Sequence, residues 1–439
     1  MSARGCALQV LNACRVNGAW ADASLKAMLG RENLSGADAA LCTRLVYGVL
    51  QNRLLLDHYL STYCTQRLDH LQQPLPDLLR LGAYQILFLD KVPDSAAVNE
   101  AVELAKANGR GAAAGLVNAV LRRLAKNKNA LPPLPDDPVE RLSVATSHPR
   151  RLTERICALL GMAEAERFLR SGNEVAPLTV QRNPMKVTGE ALTAALAAEG
   201  VPAKPHAWVP DCFELTGAGD LSTLPSFYRG EFTVQDGAAR LVSLTAGLAE
   251  GMRVLDACAA PGGKSFSAAF AMRDRGAIVA CDLHENKLKR IREGCARLGL
   301  TSIETAAADA RAFRPEWEKR FDAVLCDVPC SGLGVLRKKP DIRYKDPAEF
   351  AALPEIQSAI LSNCARYVKE NGLLVYTTCT ILPEENEAVT DAFLDAHPHF
   401  AYEPFALPSL GVIEGHVTLW PQRHGTDGFY ISRMRRTHD

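Results

Sequence analysis

The sequence predicts a three-part α/β protein. Its expected parts are an all-α N-terminal domain (residues 1–142), a small α+β middle segment (143–240) and a Rossmann-like, doubly wound α/β domain with a mostly parallel sheet (241–439). Three observations predict it. Residues 1–126 place apolar side chains at helical spacing and lack strand-like alternation. Residues 127–142, NKNALPPLPDDPVERL, hold four prolines and read as a linker or boundary. From about residue 245, short apolar runs alternate with helical ones, the pattern of a parallel sheet with crossover helices.

In the first part the helical spacing is carried by Leu45, Val46, Val49, Leu50 and Leu54. It recurs in Leu75, Leu78, Leu79, Ile86 and Leu89, and again in Val117, Val120, Leu121 and Leu124. By itself this supports a plain helical bundle. In the middle segment, residues 190–199 read as a helix, and 178–182 and 228–234 as short strands; no chemistry follows from these residues alone. In the last part RVLDAC precedes a helix from Ser265, and AIVACD precedes a helix through Leu298. DAVLCD is followed by a helix over 349–369, and GLLVYTTC by one over 384–396. Ligands of such sheets bind beyond the carboxyl ends of the strands. Asp256, Asp282, Asp327 and Cys379 all fall there, with Cys330 just past Asp327.

Composition excludes several classes. The chain has 439 residues, 47% hydrophobic and 23% charged, with 50 basic and 50 acidic side chains, so any nucleic-acid surface must be a local patch. No run reaches the ~18 apolar residues of a membrane span, and the N-terminus lacks the apolar core of a signal peptide. The 13 cysteines are scattered without a CxxC pair, which argues against a disulfide framework and a structural zinc site and for a reducing, cytoplasmic setting. His397 and His399 form an HxH without a third ligand at suitable spacing, so metal binding is not expected.

Residues 256–265, DACAAPGGKS, end like a phosphate-binding P-loop, but Cys258 stands where that pattern has its first glycine, and GxGxxG is also missing. A small loop opening a helix, followed nineteen residues after Gly263 by Asp282 at the next strand end, suits a ribose without a phosphate. S-adenosylmethionine has that character. Its expected partners are Asp282 for the ribose, Asp309 near the adenine and Asp327 towards the methionine end. A single aspartate at such a place is usually a cap or loop solvator; four at successive strand ends are harder to assign that way.

Cysteine is commonly a small buried hydrophobe, but Cys330 and Cys379 lie on the ligand rim, where a thiolate can act as a nucleophile. Carbon 5 of cytosine does not react with a methyl sulfonium. Thiolate addition at carbon 6 makes carbon 5 nucleophilic, aided by an acid at ring nitrogen 3, for which Asp327 is the candidate. One thiol can start such a cycle and a second can help end it. The residues alone do not order the two.

DACAAPGGKS (256–265), DVPCSG (327–332), YTTCTILPEENE (376–387) and HGTDGFYI (424–431) resemble, in order, the motifs of the RNA 5-methylcytosine methyltransferases. VPDSAAVNEAVELAK (92–106) and VNAVLRRL (117–124) resemble the NusB-type helical RNA-binding domain, and GNEVAPLTVQRNP (172–184) the middle segment of the same proteins. The combination is similar to the bacterial enzymes that methylate carbon 5 of cytosine in small-subunit (16S) ribosomal RNA. The resemblance implies a seven-stranded, mostly parallel methyltransferase sheet, Cys379 as nucleophile and Cys330 as the thiol that assists product release. It also implies that Cys258, Ala259, Ala260, Pro261, Gly262, Gly263, Lys264, Asp282, Asp309 and Asp327 contact S-adenosylmethionine. Thr380 stands where a serine is commoner and keeps the hydroxyl.

Residues 335–346, VLRKKPDIRYKD, follow Cys330, and Arg337, Lys338, Lys339 and Arg343 are expected to grip RNA phosphates near the target base; a solvated loop is the plainer alternative. The expectation is therefore a cytoplasmic, monomeric, S-adenosylmethionine-dependent ribosomal RNA cytosine-C5 methyltransferase. The rivals are methylation of another RNA such as tRNA, a non-catalytic RNA-binding or antitermination module, and a P-loop ATPase, which Cys258 weakens.

Overall fold

The helical spacing of the N-terminal part folds as helices Ala3–Asn17, Ala21–Arg31, Gly36–Ser61, Leu75–Phe88, Asp94–Ala107 and Ala114–Lys126 in a computed structural model, which describes residues 1–437. Ser2 caps the first helix by accepting the Gly5 N–H at 3.2 Å. The apolar faces meet in one core that includes Leu45, Val46, Leu78, Leu79, Val117 and Leu121. Among the described residues no helix is long and apolar enough to cross a membrane.

Helices Pro138–Thr146, Arg150–Leu160 and Met162–Ser171 belong to the same unit, which spans Met1–Val175 together with Leu336–Lys345. The unit thus extends past the proline-rich stretch, where the sequence reading set its first division, and takes in part of the basic segment after Cys330. Long-range hydrogen bonds explain this. Arg343 is 3% exposed. Its guanidinium donates to the carbonyls of Thr146 at 3.3 Å and Gly172 at 3.0 Å, and to Asn173 Oδ1 at 2.6 Å. The Tyr344 hydroxyl donates to the Leu50 carbonyl at 2.8 Å.

The second unit comprises residues 176–335 and the described chain from 346 onward. It begins with a four-stranded antiparallel sheet: β1 (Leu178–Arg182), β2 (Ala203–Pro205), β3 (Cys212–Leu215) and β4 (Phe232–Val234), in the order β2-β3-β1-β4. The strand expected over 228–234 is shorter. Pro225–Tyr228 is a helical turn, and Gly230 at φ 70° turns the chain where a Cβ would lie 2.1 Å from the Arg297 carbonyl. Asn183 joins this sheet to the next by donating to the carbonyls of Gly230 and Leu298, both at 3.0 Å.

The larger sheet contains β5 (Arg253–Asp256), β6 (Ala277–Asp282), β7 (Ile303–Ala307), β8 (Phe321–Asp327) and β9 (Val368–Thr378), all paired in parallel. β10 (Phe400–Tyr402) precedes a small hairpin of β11 (Phe405–Leu407) and β12 (Gly411–Ile413). β13 (His416–Leu419) and β14 (Phe429–Arg436) then complete the sheet, β14 lying antiparallel to β9. The order is β10-β14-β9-β8-β5-β6-β7, with β13 beside β14. This is the mostly parallel, Rossmann-like arrangement. The sequence reading missed β7, whose IETAA carries little apolar alternation, and the antiparallel strands after residue 400. The helix expected over 349–369 is Leu353–Ala365, because Val368 already pairs with Phe321 as β9 begins.

Candidate active site at the carboxyl ends of the strands

The chain runs from β5 outward through β6 and β7, then returns to place β8 on the other side of β5. That reversal opens a crevice at the carboxyl ends of β5 and β8, which are Asp256 and Asp327. Asp256 is fully buried, and Ser265 Oγ donates to its Oδ2 at 2.6 Å. Burial pushes its carboxyl up from 3.8 to about 7. The folded protein therefore holds this proton more tightly than the unfolded chain. Stability falls as pH rises from about 4 to about 7, by roughly 4 kcal/mol at most, and levels off above. Asp256→Asn is expected to raise Tm at pH 8 by several degrees, with the gain shrinking towards zero near pH 4. A Tm unchanged at pH 8 would show that Asp256 carries no such penalty.

A cavity of about 490 Å³ opens beside Asp327, large enough for a nucleoside-sized ligand. Cys258, Asp282, Asp309, Asp327, Cys330 and Cys379 all line it. Asp282 Oδ1 accepts the His284 N–H at 3.0 Å and lies 3.6 Å from Lys287 Nζ. Asp309 accepts the Arg311 N–H at 2.9 Å and the Arg311 guanidinium at 2.7 Å, which hold its carboxyl below the usual range. Each aspartate thus braces its own loop while facing the cavity. Leu283, Lys287, Arg311 and Ile360 also line it. Leu283, Lys287 and Arg311 stand close in sequence to Asp282 and Asp309, but their residue types carried no signal of a ligand.

Ala259, Ala260, Pro261, Gly263 and Lys264 line a second cavity, of about 280 Å³, which shares Ala260 and Asp327 with the first. Gly262 sits at φ 111° and starts helix Gly263–Ala271. Lys264 Nζ donates to Asp327 Oδ2 at 2.6 Å and lies 5.0 Å from the Phe429 ring centroid. Burial pulls its pKa down, but the charge and hydrogen bond of Asp327 outweigh this and raise it. The far wall comes from the smaller sheet and its neighbours, including Phe227, Gln235 and Arg297, which the sequence reading left without a role. Arg297 stacks 3.8 Å from the Phe227 centroid and donates to the Phe227 and Phe232 carbonyls at 2.8 and 2.9 Å.

The two thiols meet. β8 and β9 are parallel neighbours, with Asp327 opposite Thr377, so the residues after them emerge side by side. Cys330 Sγ and Cys379 Sγ are 3.0 Å apart, and the Cys379 N–H points to Cys330 Sγ at 3.2 Å. The hydrogen bond with Cys379 pushes the Cys330 thiol well above its ordinary value, and burial and the charges of Cys379 and Glu385 add to it. Gly334 donates to the Cys379 carbonyl at 3.0 Å and passes so close to Gly428 that a Cβ on Gly334 would lie 2.0 Å from the Gly428 carbonyl oxygen. HGTDGFYI therefore belongs to the site through its backbone.

The basic segment behaves differently from the expectation. Arg343 is buried with both terminal nitrogens donating to protein oxygens, and burial lowers its pKa to about 10, so it serves structure and is not presented to phosphates. Arg337 is buried too, at 8% exposure. Lys338 is half-buried. Lys339 is exposed, 3.6 Å from Asp22 and 5.8 Å from the Trp20 ring centroid. Among the described residues no group of histidine, cysteine and carboxylate side chains could hold a metal ion.

Sheet order and the cavity at the carboxyl strand ends are those of a Rossmann-like methyltransferase domain, which follows an all-helical N-terminal domain. The family model for the 16S rRNA methyltransferase RsmB/F matches residues 244–435, that for the NusB family residues 1–126, and that for the ferredoxin-like domain of RsmF/B-like methyltransferases residues 148–222. The chain is 38% identical to the probable ribosomal RNA small subunit methyltransferase B of Bacillus subtilis, covering 99% of both chains. It is 35% identical to that of Synechocystis, covering 99% of this chain and 100% of the relative. The crystal structure of PH0851 superposes with a TM-score of 0.82 at 26% identity over 99% of both chains. A methyltransferase homologue from Pyrococcus horikoshii covers 69% of this chain and all of its own, with a TM-score of 0.59 at 25% identity. The chain belongs to the RsmB/F family of 16S rRNA methyltransferases.

Proposed function

We propose that this protein methylates carbon 5 of a specific cytosine in small-subunit (16S) ribosomal RNA, using S-adenosylmethionine and a covalent bond between Cys379 and carbon 6 of the base. It acts as a cytoplasmic monomer. The observation that carries the reading is the pair of thiols 3.0 Å apart beside Asp327, where the two cavities meet. A methyltransferase acting on a nucleophilic oxygen or nitrogen needs no such pair.

The residues of the larger cavity suit S-adenosylmethionine. Asp282 offers Oδ2 to the ribose hydroxyls, Asp309 and the apolar Leu283 and Ile360 face the adenine, and the loop from Cys258 to Lys264, which lines both cavities, holds the methionine end where they meet. When bound, this cofactor supplies an electrophilic methyl group. The target base then enters from the smaller cavity, whose Phe227 ring and Gln235 amide suit a nucleobase. Extruding it from a stack costs a few kcal/mol, less in a loop.

Cys379 gives its proton to water and adds as the thiolate to carbon 6, and the Lys264–Asp327 pair holds a proton against ring nitrogen 3, where charge builds, and takes it back when the base is released. The enamine electrons at carbon 5 would form the new carbon–methyl bond as the sulfonium S–CH3 bond breaks, that pair staying on sulfur so that S-adenosylhomocysteine would leave. In the last step the carbon 5 proton passes to water, the C5–H pair restores the double bond, and the C6–S pair returns to Cys379. Cys330, kept as a neutral thiol, donates a hydrogen bond to the departing thiolate. The order of the two thiols in this cycle is taken from the family resemblance. Lys338 and Lys339 are the proposed phosphate contacts that remain of the basic segment.

Bisulfite mapping of ribosomal RNA from cells with and without the gene tests the reading. One 16S cytosine is expected to lose its protection in the deletion and regain it on complementation. Protection lost in tRNA alone would reassign the substrate, and no change in any RNA would remove the cytosine-C5 reading.

A further inference from the structure

The two thiols are held at their separation by the neighbours on either side of each, and one adjacent pair of side chains grips both sets. Asn386 Oδ1 accepts the Thr378 hydroxyl at 2.6 Å, and Asn386 Nδ2 donates to the Thr380 carbonyl at 3.2 Å, so it holds both neighbours of Cys379. Glu385 Oε2 accepts the Ser331 N–H at 2.9 Å and Gln357 Nε2 at 2.9 Å, and the same Gln357 nitrogen donates to the Pro329 carbonyl at 2.9 Å. These are the two neighbours of Cys330. Ser331 Oγ and Thr380 Oγ1, 2.8 Å apart, tie the two turns to each other, and the Tyr376 hydroxyl donates to the Glu385 carbonyl at 2.6 Å.

The frame is dry. Glu385 is 2% exposed, Ser331 2%, and Gln357 and Thr380 0%. Glu385 Oε1 and Gln357 Oε1 are buried with no hydrogen-bond partner among the described residues. A buried carboxylate with one oxygen unmet destabilises a fold relative to an apolar or fully paired alternative. A glutamate that served packing alone would not need to be there. Its charge lies on the Cys330 side of the thiol pair, where it disfavours a second thiolate.

We propose that Glu385 is a positioning residue for the elimination step: through Ser331 and Gln357 it sets Cys330 against Cys379 and keeps it the hydrogen-bond donor to the departing thiolate. This rests on the thiol roles given under the proposed function. Removing the carboxylate then impairs release and spares attack and methyl transfer.

Glu385→Gln keeps the side-chain shape. It is expected to lower kcat at least tenfold, to leave KM for RNA and S-adenosylmethionine affinity within about twofold, and to accumulate an RNA–enzyme adduct on denaturing gels. Gln357→Ala removes the same grip from helix Leu353–Ala365 and is expected to trap the same adduct, which covers the case in which Glu385→Gln does not fold. In a Cys330→Ala background, Glu385→Gln is expected to add less than twofold, since its effect runs through Cys330. A full additional loss in that background overturns the proposal. So does the absence of adduct from the folded variants while Cys330→Ala itself traps one. If Cys330→Ala traps none, the thiol assignment falls first and this inference with it.

Discussion

Cys379→Ala is expected to abolish methylation and to form no covalent complex with RNA, whereas Cys330→Ala is expected to accumulate one. The two sulfurs are 3.0 Å apart, and in the proposed cycle they act on the same base at opposite ends of the reaction. Without Cys379 no bond to carbon 6 forms, and the loss of turnover is complete. Without Cys330, attack and methyl transfer proceed, but the leaving thiolate has no hydrogen-bond donor, and the C6–S bond persists. The trapped complex should survive denaturing electrophoresis and require S-adenosylmethionine. The reverse pattern, with an adduct in Cys379→Ala and none in Cys330→Ala, would make Cys330 the nucleophile.

Asp327→Ala is expected to cut turnover by a factor on the order of 10²–10⁴, the usual worth of a positioned proton donor or acceptor. It should also destabilise the protein. Lys264 is 11% exposed at the side chain and Asp327 28%, with Nζ and Oδ2 2.6 Å apart. Deleting the carboxylate leaves an ammonium desolvated and unpaired, at a cost of roughly 2 kcal/mol once the partial exposure of Asp327 is allowed for. Lys264→Met combined with Asp327→Ala should recover most of that stability in urea unfolding and none of the activity. A double variant no more stable than Asp327→Ala would show that the unpaired charge is not the source of the loss. Near-normal turnover in Asp327→Ala would take the pair out of the chemistry.

Much of this architecture was legible in the residues. Period-3.6 apolar spacing identified the N-terminal helices because each buries one face in a common core, and a repeating pattern records that burial. The alternation of RVLDAC, AIVACD, DAVLCD and GLLVYTTC with helices identified the parallel sheet for the same reason. Strand direction then fixed which end carries Asp256, Asp282, Asp327 and Cys379. β7 escaped because this edge strand carries polar residues on an open face, which dilutes the period, and β14 because Arg433, Arg435 and Arg436 interrupt its apolar run and find their partners at Glu403 and Val368, far off in the chain.

Tertiary structure alone decided which groups touch. The sequence placed Cys330 and Cys379 on one rim; the register of β8 against β9 brought their sulfurs to 3.0 Å, and a shift of one residue would have turned one of them away. Lys264, grouped with the cofactor loop in the sequence, closes on Asp327 because helix Gly263–Ala271 starts beside β8. Arg343 reads as one more cation in a basic run, yet it is buried against carbonyls contributed by residues 146–172. Local sequence sets the periodicity of an element and the chemistry it offers. Distances between residues far apart in the chain come from packing and hydrogen-bond satisfaction across elements, which leave no local mark on the residues that supply them.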